Sequence, residues 1–201
     1  MWQSLLFPAC VDWEEEVFFI LKNENTVTHS KIRRLAILGI LSAASIILGK
    51  LLQIPIGDTI RISFENLPIL FAGIVFGPVS GVAVGIVSDL VGCVIRGYAI
   101  NPIITAGAML IGLASGLIGK ALIKNNERSF VQIILPVAAA HVIGSMVVKS
   151  VGLHVFYDTP WMYLITTRVP VYLANIAVES VIIYLLLKSK AIRHSLKGFL
   201  K

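Results

Sequence analysis

Charge is scarce in this chain. Only 14% of its 201 residues are Asp, Glu, Lys or Arg, against roughly 25% in ordinary soluble domains, while 57% are hydrophobic and the mean hydropathy is +0.88. Those values argue against a soluble globular domain. Cysteine is nearly missing as well: Cys10 and Cys93 form neither a CxxC pair nor a metal-ligand spacing, so no disulfide and no zinc site is expected. Catalytic signatures are also lacking, since there is no HExxH, no GxSxG and no plausible pairing of nucleophile and base. The stretch GLASGLIGK imitates a phosphate-binding loop, but Ala114 stands where glycine is required and Ala121 where Ser or Thr is required. The expectation is a chain that is not an enzyme, with no catalytic residue, no metal and no cofactor.

What the sequence does contain is long apolar runs separated by short polar breaks. A spanning helix needs roughly 20 mostly apolar residues. Candidate segments run from Leu35 to Gln53, Asn66 to Phe76, Pro78 to Ile95, Pro102 to Ile123, Phe130 to Leu153 and Trp161 to Leu187. The fold class predicted is all-α and integral to the membrane, with six transmembrane helices. The second segment is short and must borrow from its neighbours or be shielded by them, because exposed backbone groups in lipid cost several kcal/mol each. Between the first two segments, IPIGDTIRISFENLP alternates apolar and polar residues over Thr59 to Phe64, which is a strand or hairpin pattern and predicts a short extracellular flap.

The net charge of +6 reflects topology rather than nucleic-acid binding. Placing both termini in the cytoplasm puts Lys22, Lys31, Arg33, Arg34, Lys120, Lys124, Arg128, Lys188, Lys190, Arg193, Lys197 and Lys201 inside, as the positive-inside rule expects. Residues 1–34 read as a cytoplasmic extension, 35–190 as the membrane domain and 191–201 as a basic cytoplasmic tail. The stretch WEEEVFFILK, with Glu14 to Glu16 before a very short apolar run, is not a secretory signal.

Lys50, Arg61, Arg96, Lys149 and Arg168 fall on the outer side and call for another reason. Ionisable groups within spanning segments are costly and therefore point to function, which singles out Asp89, His141, Lys149, Arg168 and Glu179. Asp89 and Arg96 return to nearly the same face of helix three after two turns, so one ligand can meet both; an ion pair that neutralises Asp89 is the alternative. Arg168, Tyr172, Asn175 and Glu179 form one polar stripe on helix six that must face protein or water. Within it Arg168 and Asn175 suit a ligand and Glu179 a structural or partner contact. Pro170 removes a backbone donor near Arg168. On helix five, His141, Ser145 and Lys149 recur every fourth residue; His141 is either a ligand group or a satisfied interhelical hydrogen bond, and Lys149 can snorkel outward.

Small residues make a second pattern. Gly39 and Ala43 on helix one, Gly77, Gly81 and Gly85 around helix three, and Gly112 and Gly116 on helix four follow the small-xxx-small spacing that lets helices approach closely. Most of this reads as packing within the subunit; Gly39 and Ala43 are the pair assigned to docking a membrane partner.

From Arg61 onward the run RISFENLPILFAGIVFGPVSGVAVGIVSDLVG, followed by a proline- and glycine-rich start to helix four, resembles the folate-type substrate-binding S components of energy-coupling factor (ECF) transporters. The specific parts are ISFxxLP and the AGIxFGPxxGxxxGxxSD block from Ala72 to Asp89. The resemblance implies a six-helix subunit of a prokaryotic cell membrane that binds a vitamin near the outer face. It also implies a transmembrane coupling subunit and two cytoplasmic ATPases as partners. Folate would ask for a hydrogen-bonding carboxylate at its pterin edge and cations at its acidic tail. Asp89 suits the first and Arg168, Arg96 or Arg61 the second, so the candidate substrate-binding set is Arg61, Asp89, Arg96, His141, Arg168, Tyr172 and Asn175. An S component for another vitamin or a queuosine precursor, and a structural membrane protein with no substrate, are the alternatives.

Overall fold

A computed structural model describes residues 30–56, 60–97, 99–122, 129–190 and 192. By internal contacts the chain divides into Met1–Ile37 and Leu38–Lys201; most of the expected N-terminal extension and basic tail lies outside the described residues. Among the described residues six helices follow one another: α1 (Ser30–Gly49), α2 (Asn66–Phe76), α3 (Pro78–Arg96), α4 (Pro102–Leu122), α5 (Phe130–Tyr157) and α6 (Trp161–Lys188). Five of them are long and apolar enough to cross a membrane, and α2 is the short one. The protein is an all-α membrane protein, as its hydropathy predicts.

The predicted hairpin is present between α1 and α2. Strands β1 (Ile54–Ile56) and β2 (Ile60–Ile62) pair antiparallel, with Pro55 opposite Arg61. This marks one end of the bundle, here termed the hairpin end, which also carries the α3–α4 and α5–α6 connections. α5 is longer than the sequence suggested: His154 to Tyr157, read as part of the break, complete its last turn, and the chain reverses only at Asp158, whose φ of 48° is left-handed.

α2 resolves its short length by shielding. All but one of its 11 residues are buried, and α3, α4 and, more lightly, α5 and α6 pack around it. At its far end Gly77 adopts φ 90°, a conformation that favours glycine, and Pro78 opens α3 at the first helical position, where its missing N–H is no loss.

α4 is the hub of the bundle, packed against α2, α3 and α5. Its seam with α3 depends on missing side chains: a Cβ on Gly112 would stand 2.2 Å from the Gly81 carbonyl carbon, and one on Gly85 would stand 2.6 Å from the Ala108 oxygen. The small-residue pattern of α3 and α4 is therefore internal packing. Among the described residues nothing lies within 4 Å of the equivalent point at Gly39, and Ala43 is exposed.

α5 is irregular in its middle. A capping box of Ser129 and Gln132 starts it, but from His141 to Val148 the helix widens to π geometry and the Lys149 N–H reaches back to the Gly144 carbonyl. Such insertions are frequent at functional sites.

Candidate functional site

At the hairpin end, a cleft of about 420 Å³ is lined by Asp89 and Cys93 of α3, Ala99 and Asn101 of the α3–α4 connection, Ile104, Leu153, Tyr157 and Thr159. Asp89 also borders a small inner pocket with Ser45, Glu65, Ser88 and Lys149. One carboxylate thus stands on the wall of both spaces. Its Oδ2 accepts a hydrogen bond of 2.6 Å from the Thr105 hydroxyl, which orients the group and leaves the other oxygen able to accept from a ligand. Asn101 serves as wall rather than recognition group. Its Oδ1 caps the Ile103 and Ile104 N–H groups of α4, and its Nδ2 donates 3.2 Å to the Gly152 carbonyl of α5.

Lys149 does not snorkel. It is 4% exposed, and its ammonium donates to Glu65 Oε1 at 2.8 Å and to Asn66 Oδ1 at 3.3 Å. The chain entering α2 is held at several points, since Ser45 donates 2.6 Å to the Glu65 carbonyl and Asn175 donates 3.3 Å to the Ser63 carbonyl. These bonds fasten the root of the hairpin to α1, α5 and α6.

The polar stripe of α6 faces the protein. Asn175 and Glu179 are buried, and Arg168 and Tyr172 are half-buried. Arg168 Nη2 donates 2.7 Å to the Tyr172 hydroxyl, and its buried Nη1 has no partner among the described residues. The Tyr172 ring lies 5.5 Å from that of His141, and His141 Nε2 lies 2.6 Å from Glu179 Oε2 with both side chains fully buried.

Of the residues picked from sequence, Asp89 alone lines the cleft. Arg96 ends α3 exposed, and among the described residues it makes no ion pair with Asp89. Arg61 lies in β2 with its side chain outside the described set. His141, Tyr172 and Asn175 belong to the polar interior between α5, α6 and the hairpin root, and Arg168 stands at its edge. Glu65, Asn66 and Thr105 escaped the sequence reading. Glu65 and Asn66 sit in a stretch that looks like loop and helix start, and Thr105 is an unremarkable helix residue until Asp89 is seen opposite it.

A family model described as the S component of the ECF-type riboflavin transporter matches residues 29–193. The chain belongs to this family of ECF S components. It is therefore a multi-pass subunit of a prokaryotic plasma-membrane transporter, a vitamin-binding protein and not an enzyme. Solved structures share the fold. FolT bound with folic acid superposes with a TM-score of 0.64 at 20% identity, covering 77% of this chain and 92% of that one. The S component of a bacterial ECF transporter gives 0.59 at 24%, covering 85% and 99%. ThiT from Listeria monocytogenes gives 0.63 at 19%, covering 81% and 97%. No curated protein sequence matches the chain.

Proposed function

We propose that this S component captures riboflavin from outside the cell and releases it inward in complex with an ECF module made of a membrane coupling subunit and two cytoplasmic ATPases. The observation that carries the choice of ligand is the chemistry of the cleft. Among the described residues it is lined by one carboxylate, neutral polar groups and apolar side chains, with no cation. Riboflavin has no carboxylate. Its ring edge and ribityl hydroxyls offer donors to Asp89, and its flat ring suits a half-apolar wall. The matching family's riboflavin description supports the same choice. Lys149 does not line the cleft; with Asp89 it borders the small inner pocket, from which its ammonium can serve a ring carbonyl of a ligand held by Asp89. On this reading the hairpin end faces outward and both termini lie inside.

Folate is the second reading. The unpartnered Nη1 of Arg168 favours it, since a buried guanidinium edge suits a carboxylate tail. For the coupling subunit, the open face of α1 at Gly39 and Ala43 is the docking surface we favour.

Two measurements test this function. Mass spectrometry of the denatured, purified protein identifies any vitamin carried through purification. Flavin fluorescence quenching and calorimetry with folic acid then rank the two ligands. Riboflavin is expected to bind at least about tenfold more tightly, a gap of roughly 1.4 kcal/mol; tighter binding of folic acid would overturn the reading in favour of the second.

A further inference from the structure

Six side chains form an unbroken hydrogen-bonded line from α6 through α5 to the start of α2. Glu179 Oε2 meets His141 Nε2 at 2.6 Å, His141 Nδ1 meets Ser145 Oγ at 3.3 Å, and Asn66 Nδ2 donates to Ser145 Oγ at 3.5 Å. Lys149 then donates to Asn66 Oδ1 at 3.3 Å and to Glu65 Oε1 at 2.8 Å. Glu179, His141 and Ser145 are fully buried and Asn66 is 2% exposed, so the bonds among these four are shielded from bulk water.

The ends of the line dictate its direction. An ammonium can only donate. Asn66 must therefore turn Oδ1 toward Lys149, which points its Nδ2 at Ser145. Ser145 Oγ accepts there, and its own proton has one acceptor among the described residues, Nδ1 of His141. With Nδ1 accepting, His141 carries its proton on Nε2 and donates it to Glu179, and a carboxylate can only accept. From Lys149 to Glu179 every donor therefore points toward Glu179, while the Lys149–Glu65 bond points the other way, so Lys149 is the source of the line and Glu65 and Glu179 are its two acceptor ends.

We propose that Glu179, His141 and Ser145 are positioning residues for the ligand pocket: they fix the amide of Asn66, and through it the place of the Lys149 ammonium beside Asp89. The role rests on the reading that Lys149 belongs to the ligand site. It differs from a packing role, because its effect on binding runs entirely through Lys149. α5 widens to π geometry from His141 to Val148, the stretch that presents His141 and Ser145 to the line.

A double-mutant cycle separates the two roles. Ser145→Ala removes the central link with little change of volume, and Glu179→Leu removes the terminal acceptor. Glu179→Gln keeps an acceptor oxygen for His141. Riboflavin and folic acid are each titrated against the purified full chain, in the wild-type and the Lys149→Met backgrounds. Ser145→Ala and Glu179→Leu should each weaken binding about tenfold in the wild-type background, with Glu179→Gln recovering most of the loss. In the Lys149→Met background all three should change affinity by less than about twofold. Equal losses in both backgrounds, or no loss from Ser145→Ala in the wild type, would overturn the relay. If Lys149→Met alone binds both vitamins as the wild type does, it is the placement of Lys149 in the ligand site that fails.

A readout without ligand completes the test. Nitrogen-15 spectra of the histidines, assigned with a His141→Gln variant, should give His141 as the neutral tautomer with its proton on Nε2. A proton on Nδ1 would reverse the line and sink the proposal, even if Glu179→Leu does not fold.

Discussion

The α3–α4 seam and the interior between α2, α5 and α6 solve the same problem by opposite means. Lipid tails are as apolar as leucine, so helices in a membrane need another reason to associate, and close backbone packing and interhelical hydrogen bonds are the two available. At Gly81 and Gly112 the side chains are dispensed with and the backbones touch. Around His141, Asn66 and Lys149 the helices are joined instead by polar side chains, each requiring a specific partner. The first seam resembles a weld and leaves no room for a ligand. The second is a set of oriented donors and acceptors, each fixed by its partner. Asp89 stands on α3 at the border between the two.

If the comparison is right, the largest effect comes from the dry seam. Gly112→Leu puts a side chain where even a Cβ meets the Gly81 backbone at 2.2 Å, and relief requires the helices to part. Overpacking costs about 1–3 kcal/mol and occasionally more; here we expect the upper end, read as loss of the monodisperse peak in detergent and of thermal stability. A stable, vitamin-binding Gly112→Leu protein would break the comparison. At the border, Asp89→Asn should leave the fold intact and weaken vitamin binding by ten- to 150-fold, the value of a hydrogen bond to a charged group at about 1.5–3 kcal/mol. Calorimetry on the purified variant checks it.

A smaller effect sharpens the polar side. Arg168→Ala should reduce folic acid binding by about tenfold while changing riboflavin and pteroate, which lacks the glutamate tail, by less than about twofold. Equal losses for all three would make Arg168 a structural partner of Tyr172. For the isolated subunit the smallest effect belongs to α1: Gly39→Leu with Ala43→Leu meets open space, so binding and stability should hold while co-purification with the ECF module falls. Normal co-purification would remove docking from this face.

The two regions also differ in how far the sequence exposed them. The glycine spacing of α3 and α4 is local, so their close packing followed from periodicity alone, and the bounds of α2 were readable because Glu65-Asn66 and Gly77-Pro78 punctuate an apolar run. The hairpin pattern was readable for the same reason. Snorkelling stays open for Lys149 in the sequence, alongside a functional role, because its partner Glu65 lies 84 residues away in a loop, and nothing in the spacing of α5 reveals that such a loop enters the bundle. His141 keeps two possible roles in the sequence because its partner Glu179 lies 38 residues away on α6. The sequence places the end of α5 at Leu153, too early, because the aromatic and turn-rich run HVFYDTPW reads as one break, whereas the helix continues through Tyr157 and Asp158 ends it in a left-handed conformation.

The brevity of α2 bears on how the protein is made. Its 11 residues rise about 16 Å, whereas the 28 of α5 rise about 42 Å. α2 begins where Asn66 meets Ser145 and Lys149, roughly halfway along α5. The segment from β2 to Glu65 must therefore descend into the bundle before the helix can start. Irregular backbone at such depth is tolerated only when protein surrounds it, so this descent belongs to tertiary folding rather than to insertion. Glu65 consequently reaches the interior without being carried on a spanning segment, where an acid near the centre would oppose insertion by about 2.5–3.5 kcal/mol. Cutting one helix to half length lets the chain deliver a carboxylate late, after the translocation machinery has sorted every segment by its hydrophobicity.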